Sequence, residues 1–238
     1  MRAAAAAILA ILSALPARAD AVLDRVFLHV VAHEIGHAAI REFDLPVTAS
    51  EEAMADAFAV VLLHTGFPDD AGAIVADRAA AHLAEDDRPG IFDEHPPDAR
   101  RAGAMLCLAL ALDPEGRAEM AASFGLEGED ADACVDAGTE VGRGWRRLMA
   151  PYRLPEVAAV TEAGVRLARG RLPEGSPSDA AVGRARAMLT AIDWHSFVTL
   201  SLDAGCDGAG WSRNGRVISV CDAYLALLAV AARSAPGR

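Results

Sequence analysis

Basic residues are in short supply in this chain, 22 Lys and Arg against 34 Asp and Glu, and the formal net charge is −12. That balance argues against nucleic acid or an anionic membrane surface as a partner, and it disfavours acidic substrates. The acidic residues are spread without long blocks, so solubility accounts for most of the charge. No C-x-x-C spacing exists among the four cysteines, which makes a cysteine zinc cluster a poor reading. No stretch of 18 apolar residues follows the N-terminal segment, and the most apolar one, residues 223 to 232, reads as a short helix. Internal repeats and low-complexity linkers are also missing.

The N-terminal segment has the form of a signal peptide. Met1-Arg2 is followed by an apolar run from Ala3 to Leu15, then Pro16-Ala17-Arg18-Ala19, an A-x-A cleavage pattern before Asp20. The run is too short to anchor the chain in a membrane. Cleavage after residue 19 leaves 219 of the 238 residues, takes the charge from −12 to −14 with the loss of Arg2 and Arg18, and predicts a secreted or periplasmic protein without a membrane span. The remaining length suits one domain or a tight pair of lobes, and nothing in it fixes an oligomeric state. In an oxidising compartment the even set Cys107, Cys134, Cys206 and Cys221 favours pairing, with three connectivities open.

His-Glu-Ile-Gly-His at positions 33 to 37 carries the most specific chemistry. On a helix, His33 and His37 lie one turn apart on the same face, the separation at which two imidazoles share one tetrahedral metal. Glu34 then projects close to the metal's open position. Zinc at such a site activates water, and the neighbouring carboxylate takes the proton as that water attacks a carbonyl. The competing reading is a helix with two buried, hydrogen-bonded histidines. His29 lies one turn before His33, but three histidines on successive turns of one helix spread over about 12 Å, too far for one ion, so His29 is assigned to the core or to the ligands' surroundings.

A third ligand is needed, and Ser50 to Ala59 offers one. Thr48 and Glu51 suggest a capping box that opens a second helix, and Leu45-Pro46 supplies the break that lets this helix pack across the first. On it Glu52 and Asp56 are four residues apart and share a face. Glu52 is placed to ligate the metal and Asp56 to accept the free N–H of a ligating histidine. The plain alternative is a solvated acidic face, although the apolar remainder leaves these charges little solvent.

HEIGH followed by E-x-x-x-D resembles the gluzincin zinc metallopeptidases. HEIGHAAIREFDLPV, EEAMADAFA and DEHPPDARR, followed by two cysteines around a helical stretch, are more closely similar to a bacterial exported family of metallopeptidase-like proteins, over approximately residues 24 to 152. The resemblance implies Zn2+ as cofactor, His33, His37 and Glu52 as ligands, Glu34 as the base, and a peptide or protein substrate. It also favours pairing Cys107 with Cys134 and Cys206 with Cys221. His95-Pro96-Pro97 with Arg101 resembles the HP…R element of CAAX-type and stress metallopeptidases, which implies a position for His95 and Arg101 close to the active site. His95 would there donate to the developing oxyanion; otherwise it simply precedes a Pro-Pro helix start. Arg101 is open to pairing with Glu52, with Asp56 or with solvent.

The expected fold is α+β and mostly helical, with zincin-like active-site helices and a small antiparallel sheet near the C-terminus, in a single domain over 20–238. Residues 20–152 would form the catalytic helical part, and 153–238 would add helices and a β-hairpin. Helices are expected near 70–85, 97–112, 115–124, 129–149, 155–169 and 178–191. Strands are expected at 197–202, 208–212 and 216–220, the last two joined at Asn214-Gly215. In the resembled family such strands normally precede the HExxH helix, whereas here they follow it. The expectation is therefore that 217–220 packs beside the active-site helix with one strand bordering the cleft. The function expected is zinc-dependent peptide hydrolysis, the alternative being a zinc-containing, non-catalytic exported peptide-binding protein.

Overall fold

The structure is a computed structural model that describes residues 2–48, 50–84, 97–154, 164–169, 176–203, 206 and 208–234, with side chains from residue 21 onward except at 169. The first helix, α1 (Arg2–Glu42), is central. From Val26 to Ile40 nearly every side chain is buried, the polar His29, His33 and Glu34 among them, so this stretch is enclosed by other elements on nearly all sides. It is packed against α2 (Glu51–Gly66), α3 (Pro68–Ala84), α7 (Asp179–Thr190), α8 (Asp222–Ser234) and the edge of a sheet. Beyond α2 lie α4 (Asp98–Leu112), α5 (Pro114–Ser123) and α6 (Gly128–Met149). A disulfide between Cys107 and Cys134 ties α4 to α6.

Asp44, with a φ of 49°, turns the chain out of α1, and Leu45 N–H closes the end onto the Ile40 carbonyl. The α2 N-cap is Ser50, whose hydroxyl accepts from Ala53 N–H, and not the Thr48–Glu51 box expected from sequence. Glu51 is the first helical residue, which leaves its carboxylate available for other work.

The close crossing of α1 and α2 depends on one residue. A Cβ at Gly36 would stand 2.9 Å from the Ala55 Cα and 3.1 Å from its carbonyl oxygen, so the glycine of HEIGH is a contact requirement. Gly36→Ala is expected to force the helices apart at a cost of about 1–3 kcal/mol. Thermal unfolding of the metal-free protein reads this, and an unchanged melting temperature would show that the crossing has slack.

The sheet runs in the order β1-β2-β4-β3, with β1 (Val165–Arg169), β2 (Val198–Asp203), β3 (Ala209–Ser212) and β4 (Val217–Cys221). Val198, Leu200 and Leu202 of β2, with Ile218 and Val220 of β4, form its buried face. The α+β, mostly helical class is as expected, but the sheet is mixed: β1, β2 and β4 are parallel, and only β3 is antiparallel to β4. The helix expected over 155–169 is also corrected in its described part, where 165–169 is β1. Gly164, with a φ of 114°, is not in a helical conformation, and Val165 pairs with Val198, so the partner strand decides the conformation. The turn between β3 and β4 takes four residues, 213–216, with Arg216 at a φ of 53°. Cys206 and Cys221 are disulfide-bonded beside this hairpin, with Cα atoms 5.4 Å apart.

Candidate metal centre and cleft

His33 and His37 project from α1 toward α2 with their Nε2 atoms 3.0 Å apart. Glu52 of α2 reaches both, Oε2 to His33 Nε2 at 3.3 Å and Oε1 to His37 Nε2 at 3.2 Å. One ligand atom from each of the three residues lies within 4.8 Å of the others. Among the described residues this is the one group of three or more His, Cys, Asp or Glu side chains so placed.

Each imidazole is held from behind. His33 Nδ1–H donates to Asp56 Oδ1 at 2.8 Å, and Asp56 accepts in turn from Arg101, Nε to Oδ2 at 2.8 Å and Nη2 to Oδ1 at 2.9 Å. His37 Nδ1–H donates to Glu51 Oε1 at 2.8 Å, and Arg41 donates to both oxygens of Glu51 at 2.8 and 3.1 Å. Two carboxylate–arginine relays thus fix both rings with Nδ1 protonated and Nε2 turned toward the shared point, the orientation that outer-shell partners impose on ligating histidines. Arg101 also approaches Glu52, at 3.5 Å. The question of its partner is settled in favour of the two α2 carboxylates.

The sequence reading missed Glu51. A glutamate at the start of a helix reads as a cap, whereas here it and Glu52 lie on adjacent positions that straddle the crossing, so one serves His37 from behind and the other faces both rings. Arg41, one turn beyond His37, was the available signal. His95 falls outside the described residues. His29 is fully buried and lines the cleft, but stands apart from the three converging residues. His64 and His195 are placed elsewhere: His64 sits near Asp113 and Arg117, and His195 beside Glu42.

The electrostatics follow from this geometry. Burial works to lower the His33 pKa, but hydrogen bonds to Asp56 and Glu52 outweigh it and raise it from 6.5 to about 9. His37 is raised too, burial being outweighed chiefly by Glu52 and Glu51. Glu52 and Asp56 sit well below the usual carboxylate range, since hydrogen bonds from the histidines, and from Arg101 to Asp56, overcome the burial that opposes ionisation. Burial raises Glu34. The His33 shift stabilises the metal-free fold fully below pH 6.5, and that contribution is lost as pH rises through about 9. A metal must displace these protons. Uptake of zinc at pH 7 is therefore expected to release more than one proton per ion, read by calorimetry in buffers of different ionisation enthalpy. Uptake with no proton release would contradict the hydrogen-bonded arrangement.

The three converging residues and Glu34 open onto a cleft of about 250 Å³. Its far wall is the edge strand, with Ala209, Gly210 and Trp211 of β3 lining it. Both β3 and β4 contact α1. The hairpin thus borders the helix that carries His33 and His37, as expected from sequence, although it follows that helix in the chain.

A family model described as "Putative metallopeptidase" matches residues 13–149. The chain belongs to this family. The match spans α1 through α6 and contains every residue of the His33–His37–Glu52 cluster and of both relays. Family membership supports a peptidase-like, metal-associated hydrolase acting on peptides or proteins. No curated protein and no solved structure matches the chain. The metallopeptidase-family region ends at α6, so the strand that borders the cleft lies beyond it. Among the described residues no helix is long and apolar enough to cross a membrane, and with two disulfides the protein is consistent with an extracellular setting.

Proposed function

We propose that the protein is an exported zinc-dependent peptidase of the gluzincin type, with His33, His37 and Glu52 as the zinc ligands and Glu34 as the general base. One observation carries the reading: two imidazole Nε2 atoms, each ring held from behind, converge with one carboxylate beside a buried glutamate in a cleft. This donor set fits the metal, because three N/O ligands with an open side are the arrangement of catalytic zinc, whereas structural zinc is enclosed by four protein ligands. When bound, zinc supplies Lewis-acid polarisation of a carbonyl and activation of water.

The protein's own residues do the rest. Glu34 is buried and its pKa is raised by that burial, which brings its basicity closer to neutral pH, as suits a proton acceptor. Asp56 with Arg101 and Glu51 with Arg41 keep both imidazoles in one tautomer and orientation. Among the described residues β3 is an edge strand, and its outer side offers backbone N–H and C=O groups along one wall, the means by which a strand edge holds an extended peptide. Gly210 leaves the backbone open to approach there. Export rests on the A-x-A pattern after the apolar N-terminus and on the paired cysteines.

The test is digestion of a broad peptide library by the zinc-loaded protein. Cleavage that a chelator removes and zinc restores is expected. Bound zinc with no cleavage of any peptide would favour a non-catalytic, peptide-binding protein instead.

A further inference from the structure

A cavity of about 150 Å³ lies between the second half of α2 and the C-terminal ends of α6 and α7, and it shares no lining residue with the metal cleft. Its walls are apolar. Phe58 and Trp145 meet there edge to face with ring centroids 5.1 Å apart, and Met149, Met188 and Ile192 are buried in the same lining. Two cationic residues break the pattern. Arg146, in the last turn of α6, and Arg153, just beyond that helix, both line the cavity and are both exposed, which places them at its mouth. The chain fixes the position of Arg153. It pairs with Ile192 in an antiparallel bridge, flanked by hydrogen bonds from Leu154 N–H to the Ala191 carbonyl at 3.0 Å and from Asp193 N–H to the Tyr152 carbonyl at 2.7 Å. Among the described residues neither guanidinium makes a hydrogen bond or an ion pair, and no carboxylate lines the cavity. Complementing the dipole of α6 accounts for Arg146 but not for Arg153, which lies outside that helix. An apolar hollow with uncompensated positive charge at its mouth is the result.

We propose that this cavity is a second binding site, separate from the metal centre, that takes an aliphatic monocarboxylate with its hydrocarbon chain inside and its carboxylate at Arg146 and Arg153. The lining selects the hydrocarbon. Thr65 is the one hydroxyl in it, and that group donates to the Val61 carbonyl at 2.8 Å, so the walls are poor in groups to pair with the N–H and C=O of a peptide. Volume sets the chain length. An apolar cavity of about 150 Å³ accepts benzene, so a chain of about six carbons fills this one and a longer chain protrudes. Guanidinium groups favour a carboxylate through charge-assisted hydrogen bonds, and their exposure keeps the contribution of each one modest. The net charge of −12 does not oppose this. Charges more than about 8 Å away are largely screened at physiological ionic strength, so the groups at the mouth decide what enters.

The experiment is a titration of the full chain, labelled with carbon-13 at its methionine methyl groups, with butyrate, hexanoate, octanoate and decanoate, and with 1-hexanol as the neutral counterpart. Met149 and Met188 line the cavity and report on it directly, whereas Met54, Met105 and Met120 do not line it and serve as internal controls. Hexanoate is expected to shift the Met149 and Met188 signals and leave the controls in place. Affinity should rise about fourfold per added methylene from butyrate to hexanoate and level off in the longer acids. Hexanoate should bind about fivefold tighter than 1-hexanol or more, an advantage that falls as salt is added. Arg146→Gln and Arg153→Gln, both at exposed positions that the fold tolerates, should each weaken hexanoate about two- to threefold and leave 1-hexanol unchanged. Equal binding of the acid and the alcohol would overturn the carboxylate, and shifts confined to the control methionines would overturn the location. Tighter binding of N-acetyl-leucine than of hexanoate would replace the aliphatic acid by a peptide C-terminus. Absence of binding by every probe would overturn the site.

Discussion

Glu34→Gln is expected to lower kcat on any peptide the zinc-loaded protein cleaves by about 10²–10⁴-fold while leaving zinc content and melting temperature unchanged. The substitution keeps the size of a side chain that is 6 % exposed, so packing is preserved. It removes the one property the mechanism requires, since an amide oxygen is far too weak a base to accept a proton from water near neutral pH. Glu34 contributes nothing to the metal's ligand set, which is why the metal should remain. Single-turnover kinetics on a library-derived peptide, paired with metal analysis, separates the two effects. Retention of most activity would remove Glu34 from the mechanism, and loss of zinc together with activity would make it a structural residue.

Glu52→Ala is expected to have the largest effect on metal binding. Among the described residues Glu52 is the one carboxylate that touches both imidazole Nε2 atoms, and it is itself approached by Arg101. Its removal leaves two histidines on one helix as the only protein ligands, so zinc affinity should fall by more than the roughly 10–100-fold that loss of an outer-shell partner brings. Glu51→Ala provides the internal comparison. It keeps all three ligands and loses only the support behind His37, so its loss should stay within that 10–100-fold range. Competition against a chromophoric chelator measures both variants on one scale. Equal losses in the two would mean that Glu52 supports the site without ligating.

The parts of this arrangement that could be read from sequence are those encoded within one helix. His33 with His37, and Glu52 with Asp56, are four-residue pairs whose shared face follows from helix periodicity, and Asp56 does accept from His33. The four helices from α3 to α6 follow from Pro and Gly breaks and land close to the expected bounds. The features that were misread or missed depend on contacts between elements. Gly36 is a glycine because Ala55 of another helix crosses against it. Glu51 serves His37 because of where α2 enters that crossing. Val165 to Arg169 is a strand because β2 lies alongside, and the sheet is mixed because β1, like β4, runs parallel to β2, neither of which local propensity specifies.

The position of the hairpin shows the same division. Alternating apolar residues in Val217 to Val220 and the Asn214-Gly215 pair announce strands and a turn. That β3 becomes the wall of the cleft beside His33, His37 and Glu52 follows from β4 and β3 packing on α1 with β3 outermost among the described strands. The strand edge beside the HEIGH helix is thus supplied from beyond the family-matched region.

The outcomes expected for Glu34, Glu51 and Glu52 depend on His33, His37 and Glu52 holding one zinc ion with a side left open to the cleft. X-ray absorption at the zinc edge on the full chain, loaded and freed of excess metal, tests it most directly. One zinc per chain is expected, with two imidazole nitrogens at roughly 2.0–2.1 Å, oxygen as the only other ligand type, and loss of the signal's oxygen-bound protein component in Glu52→Ala. Sulfur in the coordination shell, a third imidazole, or no retained zinc would contradict it.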